Sequence, residues 1–418
     1  MRYKTICVVG LGYIGLPSAS LIAAHVKQVI GCDISKPIVD TINSGKSHLL
    51  EPELDTLVRE AVRSKKLIAQ LTIPKADIYV ITVPTPVTEK NTPDISYVKS
   101  AVDSIAPQLE KNNLIIIEST SPVGTTEQAV VWIQSLRPDL NILTDIFLAY
   151  CPERVMPGQI IRELVNNDRV VGGINPESTK RAIAFYQLFV KGECIATTAR
   201  TAEMTKLTEN AFRDVNIAFA NELSMICDHE GINVWELIAL ANRHPRVKIL
   251  QPGPGVGGHC IAVDPWFIVA SNPNQAKLIR TAREVNDYKA RYVLKNILKT
   301  VSTLEKPTIA CLGITFKKNV DDLRESPALM IVNQLADKTS GKILVVEPHI
   351  QTLPKSLTQN DNVTLTPLDE ALLIADIVVL LVAHSAFTEE KLSQLQTEKL
   401  IDVVGLIGKK YDASIAVA

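Results

Sequence analysis

Short apolar runs rich in β-branched residues recur along the first half of the chain, at Thr5–Val9, Gln28–Cys32, Ile78–Val83, Leu114–Glu118, Ile146–Tyr150 and Arg169–Gly172. Each is bounded by Gly, Pro or Asp and is close to continuously apolar, the pattern of a strand covered on both faces. Helical stretches separate them, and strand–helix alternation of this kind predicts a parallel, doubly wound sheet. The pattern changes at Thr201. From there to Glu230 neither Gly nor Pro interrupts the chain, good helix formers dominate, and Gly231 stands where a helix would stop, so one long central helix is predicted. A second helix is expected from Gln275 to Thr300. Strand runs then restart at Pro307–Thr315, Lys342–Glu347, Ile377–Ala383 and Leu400–Val404. The predicted fold is α/β, with two Rossmann-like doubly wound parallel-sheet domains joined by a long central helix. The expected boundaries are 1–198, 199–300 and 301–418.

A chain of 418 residues is too long for one ordinary core, and 46% hydrophobic with 21% charged residues is a globular composition. The net charge of −1 provides no field to draw the protein onto nucleic acid or an anionic membrane. Phosphate recognition must then come from a few placed groups. Arg2 and Lys4 ahead of an apolar stretch mimic a signal peptide, but the glycines at 10, 12 and 15 give that stretch another purpose. The apolar run Ile374–Ala383 is short for a membrane span and contains Asp376. A cytoplasmic protein without nucleic-acid or membrane partners is expected. Its 7 cysteines form no C-x-x-C pair, which speaks against a disulfide framework and against a metal cluster. Cys7 and Cys311 fall in strand-like runs and Cys227 in a helix-like one, where a cysteine acts as a small buried hydrophobe.

The segment Gly10-Leu11-Gly12-Tyr13-Ile14-Gly15 follows the first strand and opens a helix. In that setting Gly10 permits the turn, Gly12 lets backbone approach a diphosphate, and Gly15 lets the helix pack on the strand. A diphosphate would then meet free N–H groups at a helix N-terminus. Asp33 ends the second strand, where a carboxylate can hold both ribose hydroxyls and would repel a 2′-phosphate, so NAD is favoured over NADP. Thr85, Thr120 and Thr126 follow the third and fourth predicted strands, at the edge where ligands of such sheets bind. They suit either cofactor contacts or turn and helix caps.

Four glycines fall between 253 and 258, just ahead of His259-Cys260, with Asp264 close behind. Glycine-rich backbone can offer N–H groups to an anion or a developing oxyanion, and a cysteine leaving such a loop suits a covalent nucleophile. On the central helix Lys206, Asn210 and Arg213 recur at a spacing that aligns them on one face. Met204, Leu207, Ala211, Phe212, Val215 and Phe219 suggest that the rest of this helix is buried, so the polar row would want an anionic partner.

Taken together, these motifs resemble those of the nucleotide-sugar 6-dehydrogenases, the UDP-glucose dehydrogenase superfamily, in order and over nearly the whole chain. The resemblance is carried by Gly10–Gly15, by Glu118-Ser119-Thr120 with Pro122–Thr125, by Cys151-Pro152-Glu153-Arg154 and by Lys206–Asn210. Gly257–Cys260 with Asp264-Pro265, and Phe316-Lys317 with Asp322–Pro327, complete it. It implies NAD-dependent oxidation of the primary alcohol of a UDP-sugar to a carboxylate, with Cys260 and Lys206 as the active pair and Asn210 supporting the oxyanion. Either Glu153 or Asp264 would activate the hydrolytic water. Implied substrate contacts are Arg154, Val155, Lys206, Asn210, Arg213, His244, Arg246, Gly257, Phe316 and Lys317. Implied NAD contacts are Tyr13, Ile14, Asp33, Thr85, Thr126 and Arg324. The resemblance further implies a homodimer in which the basic loop holding Arg246 reaches the neighbouring subunit's site. Within the superfamily, His244-Pro245-Arg246 and the run Gln251–Trp266 resemble most the members that act on UDP-N-acetylmannosamine, which implies that substrate, with UDP-N-acetylglucosamine and UDP-glucose as alternatives. The tail after Gly405, through Lys409 and Lys410, departs from the pattern of relatives. A non-catalytic nucleotide-sugar sensor would keep the fold without turnover. A two-electron dehydrogenase of the hydroxyacyl type would leave the second α/β unit and Cys260 unexplained.

Overall fold

The computed structural model describes residues 3–49, 51–88, 90–395 and 399–407; Gly408, Lys409 and Lys410 of the divergent tail lie outside them. The chain forms two compact units, one of Met1–Glu209 with Trp266–Ser271, the other of Asn210–Pro265 with Asn272–Ala418.

In the first unit β1 (Thr5–Val9), β2 (Gln28–Cys32), β3 (Leu67–Gln70), β4 (Ile78–Ile81), β5 (Leu114–Ile117), β6 (Phe147–Tyr150), β7 (Arg169–Gly173) and β8 (Cys194–Thr198) make one sheet. Their order is β3-β2-β1-β4-β5-β6-β7-β8. The chain runs outward from β1 to β3 and then crosses to β4, so the strand order reverses beside β1 and opens a crevice beyond the strand ends there. Side chains of each central strand alternate between two cores: Ile6 and Val8 enter one, Cys7 and Val9 the other. Both faces are dry, which is why these strands read as unbroken apolar runs.

Two features depart from the sequence reading. β7 pairs antiparallel to β6 instead of continuing the parallel series. The connection carries only the seven-residue helix Ile160–Asn166, and the chain re-enters the sheet at the edge it has just left. The sheet also contains β3 and β8, which the search for continuous apolar runs missed. Both are edge strands with one wet side: Leu67 and Ala69 are buried while Ile68 is exposed, and Ile195 is exposed in β8.

The second unit holds β9 (Thr308–Leu312), β10 (Lys342–Val346), β11 (Val363–Leu365), β12 (Ile377–Leu380) and β13 (Leu400–Asp402). They lie in the order β11-β10-β9-β12-β13, with every pair parallel. It repeats the outward-then-across winding of the first sheet. The long helix spans Ala199–Glu230 and stops at Gly231, whose φ of 69° only glycine adopts without strain. From Asn210 onward it packs against the helix Lys277–Val301 through a buried polar ladder. Arg283 Nη1 lies 2.6 Å from Asp214 Oδ1, Asn286 Nδ2 donates to the same oxygen at 2.8 Å, and Asn221 Nδ2 donates to Asn286 Oδ1 at 2.8 Å. Asn221 Oδ1 then accepts the Gly253 N–H at 2.9 Å, so the ladder anchors the start of the glycine run. The expectation of a helix buried around most of its circumference is corrected: Leu207 and Ala211 are buried, but Phe212 is 68% and Phe219 55% exposed. Among the described residues no helix is long and apolar enough to cross a membrane.

Candidate active site

In the first unit the three glycines of the opening loop have distinct causes. Gly10 has φ +91°, and a β-carbon there would come within 2.8 Å of the Thr82 carbonyl oxygen; on Gly15 it would lie 1.8 Å from the Gly10 carbonyl oxygen. The protein's own packing demands both. A β-carbon on Gly12 would meet nothing within 4 Å. That bareness leaves room for an incoming group at the start of the helix Gly15–His25, where Ile14 supplies no side-chain cap to the free N–H groups. Asp33 takes the Leu11 N–H on Oδ2 and the Ser35 N–H on Oδ1, each at 2.9 Å, and each oxygen keeps a lone pair for a hydroxyl. These residues fit the diphosphate and ribose of a dinucleotide. Tyr13 is exposed and Thr85 and Thr120 are half-buried. Thr126 is fully buried, and its hydroxyl donates to Glu203 Oε1 at 2.7 Å. Glu203 also takes the N–H groups of Gly124 and Thr126, capping the helix Thr125–Leu136.

A buried ionic cluster gathers residues that follow β5 and β6 and the first residue of β7. Glu153 is paired with Arg169 at 2.9 Å, and its other oxygen accepts the Arg154 N–H at 2.6 Å. Glu118 accepts the Tyr186 hydroxyl at 2.6 Å. Burial pushes the Glu118 carboxyl up to about 7, with Arg169 opposing and Glu153 adding to the rise. Burial likewise pushes the Cys151 thiol up to about 12, which keeps it protonated and inert. Arg154 reaches Glu209 on the long helix at 2.8 Å and also donates to the Asp168 carbonyl. Val155 and Lys206 are half-buried.

The second unit brings three of the expected catalytic residues together. Asn210 Nδ2 donates to Asp264 Oδ2 at 2.5 Å, and the Asp264 N–H donates to the Cys260 carbonyl at 2.8 Å. Of the seven cysteines, none in a disulfide, Cys260 alone is exposed. The loop before it is pinned by close approach: a β-carbon on Gly257 would fall 2.3 Å from the Glu325 carbonyl oxygen, and one on Gly258 2.9 Å from the Phe316 ring. The Gly258 N–H donates to the Arg324 carbonyl at 3.2 Å. The expectation that the glycine run aims its N–H groups at an anion is therefore corrected at Gly253 and Gly258, whose donors are spent inside the protein. Arg324 holds Asp322 through Nε and Nη2. Lys317 and Arg213 are exposed. His244 and Arg246 are exposed on a loop closed by Asn242, which donates to Ile249 O at 3.0 Å and accepts its N–H at 2.7 Å.

The sequence reading gave no site role to Glu118, Arg169 or Glu203. Their signal was a charge at the end of an otherwise dry strand, or inside an apolar helix turn, where it must find a partner.

A glycine loop shaped for a dinucleotide marks the first unit as that of a nucleotide-binding α/β protein. The sequence narrows this class. Residues 4–190 match the NAD binding domain of the UDP-glucose/GDP-mannose dehydrogenase family, 200–288 its central domain and 310–409 its UDP binding domain. The chain belongs to that family and is an NAD-dependent nucleotide-sugar dehydrogenase. It is 55% identical to the NDP-N-acetyl-D-galactosaminuronic acid dehydrogenase of Ralstonia nicotianae, over 99% of this chain and 98% of the relative. It is 54% identical to the UDP-N-acetyl-D-mannosamine dehydrogenase of Escherichia coli strain K12, over 97% of this chain and 100% of the relative. Among solved structures, UDP-D-ManNAc dehydrogenase from Pyrococcus horikoshii superposes with a TM-score of 0.87 at 36% identity, covering 98% of this chain and 97% of that one.

Two outcomes follow from this geometry. Because Gly12 has space and Gly15 has none, Gly12→Val should fold normally while raising the KM for NAD at least about ten-fold; Gly15→Ala should lower the yield of folded protein. Circular dichroism together with initial rates separates the two. Glu118 ionises near the usual carboxylate value when unfolded but holds its proton to about 7 when folded. Folding stability is therefore lost as pH rises through that window and is level above it. Glu118→Gln keeps the acceptor for Tyr186, so its Tm should exceed that of the wild type at pH 8 and lose that advantage at pH 4; equal gains at both would refute the assignment.

Proposed function

We propose that the protein oxidises C6 of UDP-N-acetyl-D-mannosamine to the carboxylate, giving UDP-N-acetyl-D-mannosaminuronate as a building block for a surface polysaccharide of the enterobacterial common antigen type. Residues 1–198 would bind NAD, 199–300 would carry the nucleophile loop and the dimer contact, and 301–418 would bind the UDP-sugar. The two nucleotide substrates put the enzyme in the cytoplasm.

Bound NAD supplies the hydride acceptor, once for each of two oxidations. The first removes the C6 hydride and a hydroxyl proton, with Lys206 as the proton's acceptor. The aldehyde formed has no hydride to give until a nucleophile adds. The Cys260 thiolate attacks its carbonyl carbon, forming an S–C bond and a hemithioacetal, and Asn210 and Lys206 steady the oxyanion. Loss of the second hydride leaves a thioester. Water activated by Glu153 or Asp264 then breaks the S–C bond, freeing the carboxylate and the thiol. Support for this reading rests chiefly on Cys260, the one exposed thiol, standing beside an Asp264 already paired with Asn210. Arg154, Val155, Arg213, His244, Arg246, Gly257, Phe316 and Lys317 would hold the nucleotide sugar. Tyr13, Ile14, Asp33, Thr85, Thr120, Thr126 and Arg324 would meet NAD.

A second reading, oxidation of an N-acetyl-D-galacto sugar nucleotide, is favoured by the Ralstonia relative, whose 55% identity matches the 54% of the mannosamine enzyme. NADH formation with UDP-N-acetylmannosamine, compared with the N-acetylgalactosamine, N-acetylglucosamine and glucose derivatives, decides between them. The manno compound should lead in kcat/KM; a lead by the galacto compound replaces the first reading with the second. Silence on all four leaves a nucleotide-sugar sensor. With the preferred sugar, Cys260→Ser should stop after the first oxidation or at a covalent ester. Two NADH per product at normal rate would remove Cys260 from the mechanism.

We also infer a homodimer built on the long helix, with the Arg246 loop crossing to the neighbouring site. Phe212, Phe219 and Ile226 are 68%, 55% and 53% exposed and recur every seventh residue on one face, a row that a second copy would bury. Phe212→Asp with Phe219→Asp should shift the sedimentation coefficient to that of a monomer and cut activity at least about ten-fold; a dimer that survives both changes sinks the inference.

A further inference from the structure

The two α/β units share a device at the end of their second winding strand. Gly313, at φ +84°, gives its N–H to Val346 O at 2.9 Å, just as Gly10, at φ +91°, gives its own to Cys32 O at 2.8 Å. A carboxylate follows each carbonyl. Asp33 takes the N–H groups of Leu11 and Ser35; Glu347 takes those of Ile314 at 2.8 Å and His349 at 3.1 Å. Above the carboxylates the likeness ends. Asp33 is half-buried and open to a ligand, whereas Glu347 is buried and His384 Nε2 stands 3.0 Å from its Oε2. A side chain of the same chain takes the place that a ribose would hold in the first unit.

His384 in turn reaches the segment that follows Gly313. Its Nδ1 accepts the Asn319 N–H at 2.9 Å, so in the neutral ring Nε2 carries the proton and donates it towards Glu347, with Thr315 Oγ1 3.2 Å away. Thr315 donates to the Lys317 carbonyl at 2.9 Å. Asn319, at φ 59°, exchanges side-chain hydrogen bonds with Ser385, its Nδ2 to Oγ at 2.7 Å and the Ser385 N–H to its Oδ1 at 2.9 Å. A turn with a left-handed asparagine does not hold itself, and here it is tied at both ends. Phe316 and Lys317 lie between the ties.

We propose that Glu347 and His384 are positioning residues for nucleotide-sugar recognition, fixing from inside the loop that presents Phe316 and Lys317. This rests on the assignment of those two as substrate contacts. The competing use of the same side chains is a cation site, since ligand atoms of Glu347, His349 and His384 lie within 4.8 Å of one another. It is disfavoured because Nδ1 of His384 already accepts an N–H; coordination through Nε2 would leave the ring without a proton.

The test uses the full-length enzyme, with UDP as a calorimetric probe and steady-state kinetics beside it. His384→Ala should raise the KM for the UDP-sugar and the Kd for UDP about ten-fold, the loss of one buried hydrogen bond that orders a loop. The KM for NAD and kcat should stay within about two-fold. His384→Asn, whose Oδ1 can replace Nδ1 as acceptor for Asn319, should recover most of the loss. Asn319→Gly keeps the backbone donor and the positive φ while removing the Ser385 ties; it should weaken UDP binding in the same sense, and it carries the test if His384→Ala does not fold. Lys317→Ala is the reference. If it weakens UDP binding while folded His384 and Asn319 variants bind normally, the positioning role is overturned. If Lys317→Ala and Phe316→Ala both leave UDP binding unchanged, the contact assignment fails and takes the proposal with it. Tightening of UDP binding by micromolar Zn²⁺ in the wild type, absent in His384→Ala, would replace the clamp with a metal site.

Discussion

At Gly257 and Gly258 the backbone of the cysteine loop lies against Glu325 and Phe316 so closely that no side chain fits between them. The placement of Cys260 depends on this contact. A thiol becomes a nucleophile only where its anion is tolerated, and burial elsewhere in the chain works the other way: Cys151 and Cys311 are each pushed up to about 12. Packing two glycines tightly lets the chain turn out of the fold at His259 and leave Cys260 at the surface while still fixed. The Asp264 N–H on the Cys260 carbonyl closes the turn from the other side. One thiol is thus exposed on a loop held by close packing, while Cys194 is half-buried and the other five cysteines are buried.

That contact also explains why its partner segment carries so many turn-forming and charged residues. Between Phe316 and Pro327 the chain supplies a ring for Gly258, carbonyls for Gly257 and Gly258, and a proline against Gly257. Arg324 and Asp322 pair along its exposed edge. Ser326 caps the helix Pro327–Lys338 by accepting the Leu329 N–H. The segment is short of apolar residues because its work is done by backbone and by one ring.

Most strands of both sheets, the long helix and its stop at Gly231 were legible because each obeys a period or a breaker that acts locally. Dry strands such as β4 and β5 announce themselves by unbroken apolar runs. Edge strands β3, β8 and β11 do not, since one of their sides meets water. The direction of β7 depends on how the chain returns from β6, which no local pattern records. At the site, Asn210, Cys260 and Asp264 were legible as residue types with a shared chemistry. The glycine donors were misread because a glycine chosen for close packing and one chosen for a ligand look alike in sequence; only the space around Gly12, set against its absence at Gly15 and Gly257, separates them. Phe212 and Phe219 were read as core because apolar character does not say whether the cover comes from the same chain or another.

The pair Asp33 and Glu347 carries this ambiguity one step further. Both sit after a strand, both accept from the residue following a left-handed glycine, and both would be scored alike by any motif. Their difference lies in a histidine with no sequence neighbour in common with either. Where His384 donates to the carboxylate, the charge is satisfied from within, and burial is outweighed by the donors of His384 and Ile314, which hold Glu347 below its ordinary range. Asp33 accepts only backbone N–H groups among the described residues and keeps lone pairs towards open space. One fold thus yields a cofactor crevice in the first unit and a braced loop in the second, and the choice between them is made by what covers a single carboxylate.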